Sequence, residues 1–293
     1  MIAYDPNNWF RLTFALRGTV TPRITVRVLL LAAWSTLLVA IFAVQDLALQ
    51  VGTVAHSIAG VALGLLLVFR TNTAYDRYWE GRKQFGQLVI TARNLATRLA
   101  ATLPLDAVEE RRRTSALLAS YAGAVKEHLR DGVKNEHLTR LTEGDAKGLL
   151  RWAHPVNGLR LRLARLIREF QDRDWISGTA ELSYDNDLDS LGSALSALER
   201  IRFTPMPFAY VNQLKVFMLI YFLTLPIALI PALGWTTVPA MMFIAYTLIG
   251  IEEIGVEIED PFGLDANDLP LDSMCDGLAR HLDEILLDGT GAA

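Results

Sequence analysis

Histidine is the side chain in this sequence best suited to bind a metal or to transfer a proton. Two of the five histidines directly follow a glutamate. His128 and His137 are nine residues apart, which would place them on opposite faces of one helix, and Asp131-Gly132 would interrupt that helix. This spacing predicts no metal site. The sequence also contains no nucleophile motif, phosphate-binding loop or dinucleotide fingerprint, so we expect neither an enzyme nor a bound cofactor.

The apolar residues are segregated along the chain. Of its 293 residues 52% are hydrophobic and 20% are charged, whereas a soluble domain usually carries about 25% charged residues. No charge occurs in residues 28–45, 47–69 or 216–251. About 20 apolar residues cross a bilayer, so the first two runs predict one span each and the third predicts two, with a hairpin among Pro226, Pro231, Gly234 and Pro239. We therefore expect four transmembrane helices surrounded by lipid.

Basic residues predict how these spans are oriented. Most of the 28 Lys and Arg lie between Arg70 and Arg202, and the linkers around Asp46 and Gly234 carry none. The positive-inside rule then places both termini and the long middle segment in the cytoplasm. His56 lies inside the second run, where an ionisable group is either functional or neutral near the outer membrane surface. We expect no nucleic-acid partner.

The middle segment shows helical periodicity, as in Leu88, Leu95 and Leu99, and it predicts a large helical cytoplasmic domain. The expected organisation is an interfacial segment at 1–27, two spans within 28–69, the cytoplasmic domain at 70–205, two spans within 206–256 and an acidic tail at 257–293. Nothing breaks a helix directly after the second span, which should continue past the membrane surface. Helix breaks are predicted at Leu103-Pro104, Asp131-Gly132 and His154-Pro155, and around residues 184–187. The acidic tail should pack against the basic middle segment.

The second apolar run carries two distinct helix faces. Gly60 and Gly64 form a GxxxG pair, which allows close helix packing. Val54, Ile58 and Ala62 form a stripe about 140° away from the glycines. On spacing alone this stripe could face lipid, the helix core or another environment.

Three motifs give this chain its resemblance to a known family. They are "FRTNTAYDRYWEGRKQFG" after the second span, "ERIRFTPMPFAYVNQ" before the third and "IEDPFGLDANDLPLD" after the fourth. In order and spacing they resemble the bestrophin ion channels, in particular the bacterial branch, over nearly the whole chain. The resemblance implies a homopentamer around an axial pore in the bacterial inner membrane. It also implies an apolar neck at Val54, Ile58 and Ala62 and a second constriction, for which Ile176 is the candidate.

Two departures from the family pattern modify what the resemblance implies. Animal members carry phenylalanines at the second and third neck positions and conduct anions, whereas some bacterial relatives conduct monovalent cations. Ile58 and Ala62 therefore slightly favour sodium-like cations over chloride. Leu264 stands where the first calcium-binding acid would follow Pro-Phe-Gly, so Asp265 and Asp268 alone predict no tight calcium site. The expected function is a pentameric ion channel, and the alternatives are a secondary transporter and a membrane-anchored scaffold.

Overall fold

The computed structural model describes residues 5, 7–45, 52–288 and 290, which are mostly helical and contain no strand. The α-helices are α1 (Trp9–Thr13), α2 (Thr21–Gln45), α3 (Val54–Thr102), α4 (Val108–His128), α5 (Glu143–Leu149), α6 (Pro155–Asp172), α7 (Glu181–Phe203), α8 (Phe208–Leu233), α9 (Thr237–Glu259) and α10 (Leu271–Leu287). Short 3-10 helices occur at Asn135–His137, Gly178–Ala180 and Gly234–Thr236. The predicted all-helical composition is confirmed for these residues.

The chain forms two compact units. The first contains Met1–Tyr78, Pro205–Pro261 and Asp265–Asp268, and the second contains Trp79–Thr204, Phe262–Leu264 and Leu269–Ala293. Helix α3 is continuous through the boundary between them, with 49 residues. The prediction that the second span continues as a helix beyond its apolar part is therefore confirmed.

The first unit is apolar both in its core and on much of its surface. Its core contains Ile24 from α2, Leu63 and Leu67 from α3, Met218 from α8 and Met241 from α9. Large apolar side chains are also exposed on the outside of these helices, including Val26, Leu30, Leu219, Ile220 and Phe243. Contiguous exposed apolar surface marks a membrane or protein contact, and here it agrees with segments that enter a bilayer.

Within the described residues, three helical stretches are long and apolar enough to cross a membrane: Thr21–Val44, Val54–Thr102 and Gly178–Glu259. The third stretch includes both α8 and α9, which are separated by the 3-10 turn Gly234–Thr236. Gly234 has φ of 54°, a left-handed conformation that glycine adopts without steric cost. Of the four predicted hairpin residues, Gly234 makes the turn, whereas Pro226 and Pro231 lie inside α8.

The second unit is organised around α4, against which α6 and α10 pack. Helix α10 is amphipathic, and its buried residues Leu271, Leu278, Leu282 and Leu286 recur at helical spacing. Its acidic residues pair with the basic middle segment. Asp272 lies 2.6 Å from Lys126 and 3.1 Å from Arg130, and Asp283 lies 2.9 Å from Arg140. The predicted packing of the acidic tail on this segment is confirmed.

Three of the predicted helix breaks are confirmed, because α3 ends at Thr102, α4 ends at His128 and α6 begins at Pro155. The break predicted around 184–187 is wrong, since α7 runs through it. Buried Tyr184 donates or accepts a hydrogen bond with Thr102 (3.2 Å), and Asp187 pairs with Arg98 (3.3 Å). Tertiary contacts therefore outweigh the weak helix propensity of the Asp-Asn residues there.

Arg111 is a buried cation of the second unit whose side chain binds backbone carbonyls. Its guanidinium donates hydrogen bonds to the carbonyl oxygens of Ala100, Leu103, Pro104 and Leu286. The final carbonyls of a helix have no partner within the helix and carry partial negative charge. Arg111 thus satisfies the C-terminal carbonyls of α3 and α10 together and joins the ends of these helices to α4.

We predict that Arg111→Leu lowers the free energy of unfolding by at least about 3 kcal/mol, because each buried carbonyl left without a donor costs roughly 1–3 kcal/mol. Arg112→Leu is the matched control, since Arg112 is exposed in the same helical turn and its change should stay within about 0.5 kcal/mol. Chemical unfolding in detergent, followed by circular dichroism, measures both. Equal losses in the two variants would contradict the role given to Arg111.

Candidate functional site

The first half of α3 has one face inside the first unit and the opposite face outside it. Leu63 is 0% exposed and Leu67 is 1% exposed, and both pack into the core described above. Successive residues of a helix are rotated by about 100°, so residues three or four positions apart lie on the same face. Side chains half a turn away from Leu63 therefore point out of this chain.

The residues predicted to form the neck lie on that outward face. Val54 is 69% exposed and Ile58 is 67% exposed, and Ala62 is also exposed. The structure places Val61 and Leu65 on the same face, which the i, i+4, i+8 stripe missed. A continuous apolar strip on a helix long and apolar enough to cross a membrane is thus available to lipid, to another subunit or to a pore.

The two glycines of the GxxxG pair differ in their surroundings. A Cβ atom on Gly60 would lie 2.8 Å from the hydroxyl oxygen of Tyr221 in α8, so Gly60 allows this side chain to approach. A Cβ atom on Gly64 would have no heavy atom within 4 Å. Of these two glycines, Gly60 supports a close contact within the chain, and a role for Gly64 in packing stays a prediction.

His56 faces α8, away from the neck residues. Its Nε2 lies 3.1 Å from Oγ1 of Thr224, and that hydroxyl donates to the carbonyl oxygen of Ile220 at 2.8 Å. The Thr224 oxygen can therefore accept a hydrogen bond from Nε2–H of His56. This arrangement favours a helix-packing contact over a pore-lining role.

The candidate for the cytoplasmic constriction, Ile176, lies in the second unit between α6 and the 3-10 helix Gly178–Ala180. It is 3% exposed in the single chain, which leaves little of its side chain available to line a pathway. Its assignment as a constriction stays a prediction.

A charged cluster, defined here as Arg70, Lys215, Glu252 and Glu259, lies where the apolar part of α3 ends. Arg70 is 1% exposed, and its Nη2 lies 3.8 Å from Oε1 of Glu252 and 3.5 Å from Oε2 of Glu259. Lys215 Nζ lies 3.2 Å from the same Glu252 oxygen. An isolated buried charge is very unfavourable, so these opposite charges from α3, α8 and α9 stabilise one another.

The position of Arg70 differs from that of a typical basic residue at the end of an apolar helix. A belt of interfacial anchors predicts that arginines extend towards the headgroups, as long basic side chains commonly do. Arg70 instead is enclosed within the protein, whereas Tyr75 and Trp79 are exposed as such a belt requires. Sequence patterning predicted that acids after the fourth span meet the basic middle segment, but it did not identify Glu252 and Glu259 as the partners of Arg70, about 180 residues away.

The acidic residues at the positions of a possible calcium site already form ion pairs and hydrogen bonds with other groups of this protein. Asp265 pairs with Arg23 at 2.9 Å, and buried Asp268 accepts the backbone N–H of Asp265 at 2.7 Å. Asn267 Nδ2 donates to the Gly18 carbonyl and to Glu257. Ca²⁺ requires 6–8 oxygen ligands, so a calcium ion at these residues would have to replace the contacts that they already make.

The second unit contains a group of possible metal ligands that sequence spacing did not reveal. His128, His154 and Glu199 each offer a ligand atom within 4.8 Å of the others. His137 instead lies near Glu127 and Glu136, at 3.6 Å from each. His128 ends α4, His154 is the N-cap of α6 and Glu199 lies in α7, so a search for nearby spacings could not have found this group.

Comparison with known proteins decides the family. Residues 1–284 match the model of the bacterial and fungal bestrophin proteins. The chain belongs to this bestrophin family. The match includes the apolar face of α3, the charged cluster and the acidic tail of this bestrophin as far as residue 284.

Curated relatives and solved structures agree with the assignment. The bestrophin is 37% identical to a voltage-dependent anion channel-forming protein of Nostoc sp., covering 95% of this chain and 92% of the relative. It is 31% identical to the voltage-dependent anion channel-forming protein YneE of Escherichia coli, covering 96% and 93%. A bacterial bestrophin homolog from Klebsiella pneumoniae matches with a TM-score of 0.85 and 30% identity, covering 92% of this chain and 99% of the homolog.

The tail of this bestrophin has a pH-dependent contribution to stability. Asp268 is 5% exposed, and burial, reinforced by nearby acids, raises the pKa of its carboxyl group to about 6. An unfolded aspartate has a pKa near 3.9, so the folded protein binds more protons between these values. Stability is therefore lost as pH rises through this window, and the full cost applies above about pH 6.

We predict that Asp268→Asn raises the free energy of unfolding near neutral pH by up to about 3 kcal/mol, and that the gain disappears near pH 4. The Asn carbonyl can still accept the Asp265 N–H. Asp265→Asn, which only weakens an exposed pair with Arg23, should bring no such gain. Thermal unfolding across this pH range tests the idea, and a gain for Asp268→Asn that is independent of pH would contradict it.

Proposed function

We propose that this bestrophin is a homopentameric channel for small monovalent ions in the bacterial inner membrane, with four spans per subunit and both termini in the cytoplasm. The observation that carries the proposal is the exposed apolar face of α3 in a member of this family. It catalyses no reaction, and lipid, ions and further copies of the chain are its partners.

Five copies of Val54, Ile58 and Ala62 around one axis would form a neck whose side chains offer an ion no hydrogen bonds. Water leaves a narrow apolar constriction readily, so the barrier to conduction would be dehydration. Because Leu63 and Leu67 fix the opposite face of α3 in the core, the neck face is available to the axis. Ile176 would form the second constriction only if more of its side chain becomes exposed to the ion pathway than in the single chain.

Two observations bear on the charge of the permeant ion and favour opposite choices. The relatives from Nostoc sp. and Escherichia coli are named as anion channel-forming proteins, which supports small anions such as chloride. The neck positions Ile58 and Ala62 lack the aromatic side chains of the animal branch, which supports sodium-like cations. The reversal potential in a salt gradient distinguishes these two candidates directly.

Planar-bilayer recording of the purified protein tests the channel function. Unitary currents support it, slow saturable flux would indicate a secondary transporter, and silence would indicate a membrane-anchored scaffold. A transporter would need internal repeats and a polar site near the membrane centre. Native mass measurement in detergent tests the assembly, and a monomer or dimer would contradict the pentamer.

We predict that Ile58→Ala widens and hydrates the neck and so raises unitary conductance or open probability. Ile58→Phe should add an aromatic edge, whose partial positive charge favours anions, and should shift the reversal potential towards that of chloride. Single-channel recording in a salt gradient measures both effects.

The matched control is Leu30→Ala, which removes a similarly exposed apolar side chain from α2. Leu63→Ala addresses another face of α3, but Leu63 is fully buried and its loss would cost about 2–5 kcal/mol of stability. If Ile58→Ala and Leu30→Ala change the currents equally, the face assigned to the pore is wrong.

We predict that calcium or its chelation leaves the conductance unchanged, because Asp265 and Asp268 already bind Arg23 and the local backbone, and Leu264 offers no ligand. Recording with calcium and then with a chelator on the cytoplasmic side measures this. Steep activation at micromolar calcium would show that the tail binds the ion.

A further inference from the structure

The helical bundle of the second unit contains a group of side chains, separate from the proposed neck, that could bind a metal ion. We propose that His128, His154 and Glu199 bind a divalent transition-metal ion, for which Zn²⁺ is the best match. His128 ends α4, His154 immediately precedes α6, and Glu199 lies in the last turns of α7. This site lies outside the neck, and its binding tests do not depend on channel activity.

The three side chains converge on one point. The Nε2 atoms of His128 and His154 lie 2.8 Å and 2.6 Å from the same atom, Oε1 of Glu199. The two imidazole rings have their centroids 4.5 Å apart, and the ring of Phe203 packs edge-on against His128 at 5.8 Å. Two imidazole nitrogens and one carboxylate are a ligand set that zinc sites commonly use.

The spacing of these atoms is close to what a metal requires. Zinc lies about 2.0–2.2 Å from nitrogen and oxygen ligands, so tetrahedral ligands are about 3.4 Å apart. Each nitrogen would thus move less than about 1 Å from the Glu199 oxygen. The three side chains are partly exposed, which gives them room to rotate and leaves an opening for a water molecule as the fourth ligand.

One contact predicts that the ion is exchangeable. Nδ1 of His154 accepts the backbone N–H of Asn157 at 3.3 Å, which caps the start of α6. A neutral imidazole that binds metal through Nε2 carries its proton on Nδ1, and that nitrogen can no longer accept. Metal binding therefore replaces a helix-capping hydrogen bond, and its affinity should be lower than that of a rigid zinc site.

The consequence of binding would be mechanical. The ion would join the end of α4 and the start of α6 to the last turns of α7, with bonds stronger than the present hydrogen bonds. In the sequence, Glu199 precedes the beginning of α8 by nine residues. A bound metal would therefore hold the helix that leads into the third apolar run.

The ligand chemistry also predicts which ions are excluded. Imidazole nitrogen suits Zn²⁺, Co²⁺ and Ni²⁺, whereas Ca²⁺ and Mg²⁺ prefer an all-oxygen environment. We expect the first group to raise the melting temperature of the purified protein and the second group to leave it unchanged at the same concentrations.

The deciding experiment is a titration of the full-length protein, first stripped of metal, with ZnCl₂ against a chromophoric chelator. Co²⁺ absorption serves as the probe of the ligands. We expect one Zn²⁺ per chain. The variants Glu199→Gln and His154→Gln, which keep a polar group in place, should weaken binding at least about tenfold. His281→Gln is the control, because His281 binds Arg93 through Nδ1 and is not one of the three proposed ligands.

The proposal is overturned if Zn²⁺ affinity is the same in Glu199→Gln, His154→Gln and the unmodified chain, or if only His281→Gln loses binding. If a variant fails to fold, the Co²⁺ spectrum of the unmodified protein decides alone. A spectrum of four-coordinate cobalt with nitrogen ligands supports the site, and the spectrum of the hydrated ion contradicts it.

Discussion

The first unit depends on the neutralisation of one buried cation, Arg70. A guanidinium that is removed from water at the end of an apolar helix must meet negative charge, and α9 supplies it through Glu252 and Glu259. Because the side chain of Arg70 has a fixed direction on α3, this pairing sets the rotation of that helix against α9. The same rotation buries Leu63 and exposes Ile58.

The second unit contains a buried arginine that is satisfied in a different way. Within the part of the chain that the structure describes, the Arg111 guanidinium donates to carbonyl oxygens at the ends of α3 and α10 and to no carboxylate. Partial charges of helix termini replace a formal counter-charge there. Both arginines connect helices that are distant in sequence, and apolar side chains pack around these connections.

The acids of the tail already have partners within the protein. The acids of the tail are numerous, but the structure uses them for ion pairs, as with Asp265 and Arg23, or for backbone hydrogen bonds, as with Asp268. A carboxylate that already has a protein partner must lose it before binding a cation. The number of acids in a segment is therefore a poor guide to metal binding, and the geometry of their partners is a better one.

The sequence by itself determined the properties that depend on local pattern. Apolar runs without charge predicted membrane segments, helical periodicity predicted the bundle, and three motifs predicted the family. It also placed Val54, Ile58 and Ala62 on one face, since that follows from helix geometry alone.

Only the tertiary structure decided which distant residues meet. It showed Arg70 buried against α9, α7 continuous through Tyr184 and Asp187, and His128 beside His154 and Glu199. Each of these outcomes depends on contacts between segments that are far apart in sequence, where periodicity and helix propensity carry no information. The energy of burying a charge or an aromatic ring exceeds local preference, so folding selects the partner that satisfies it.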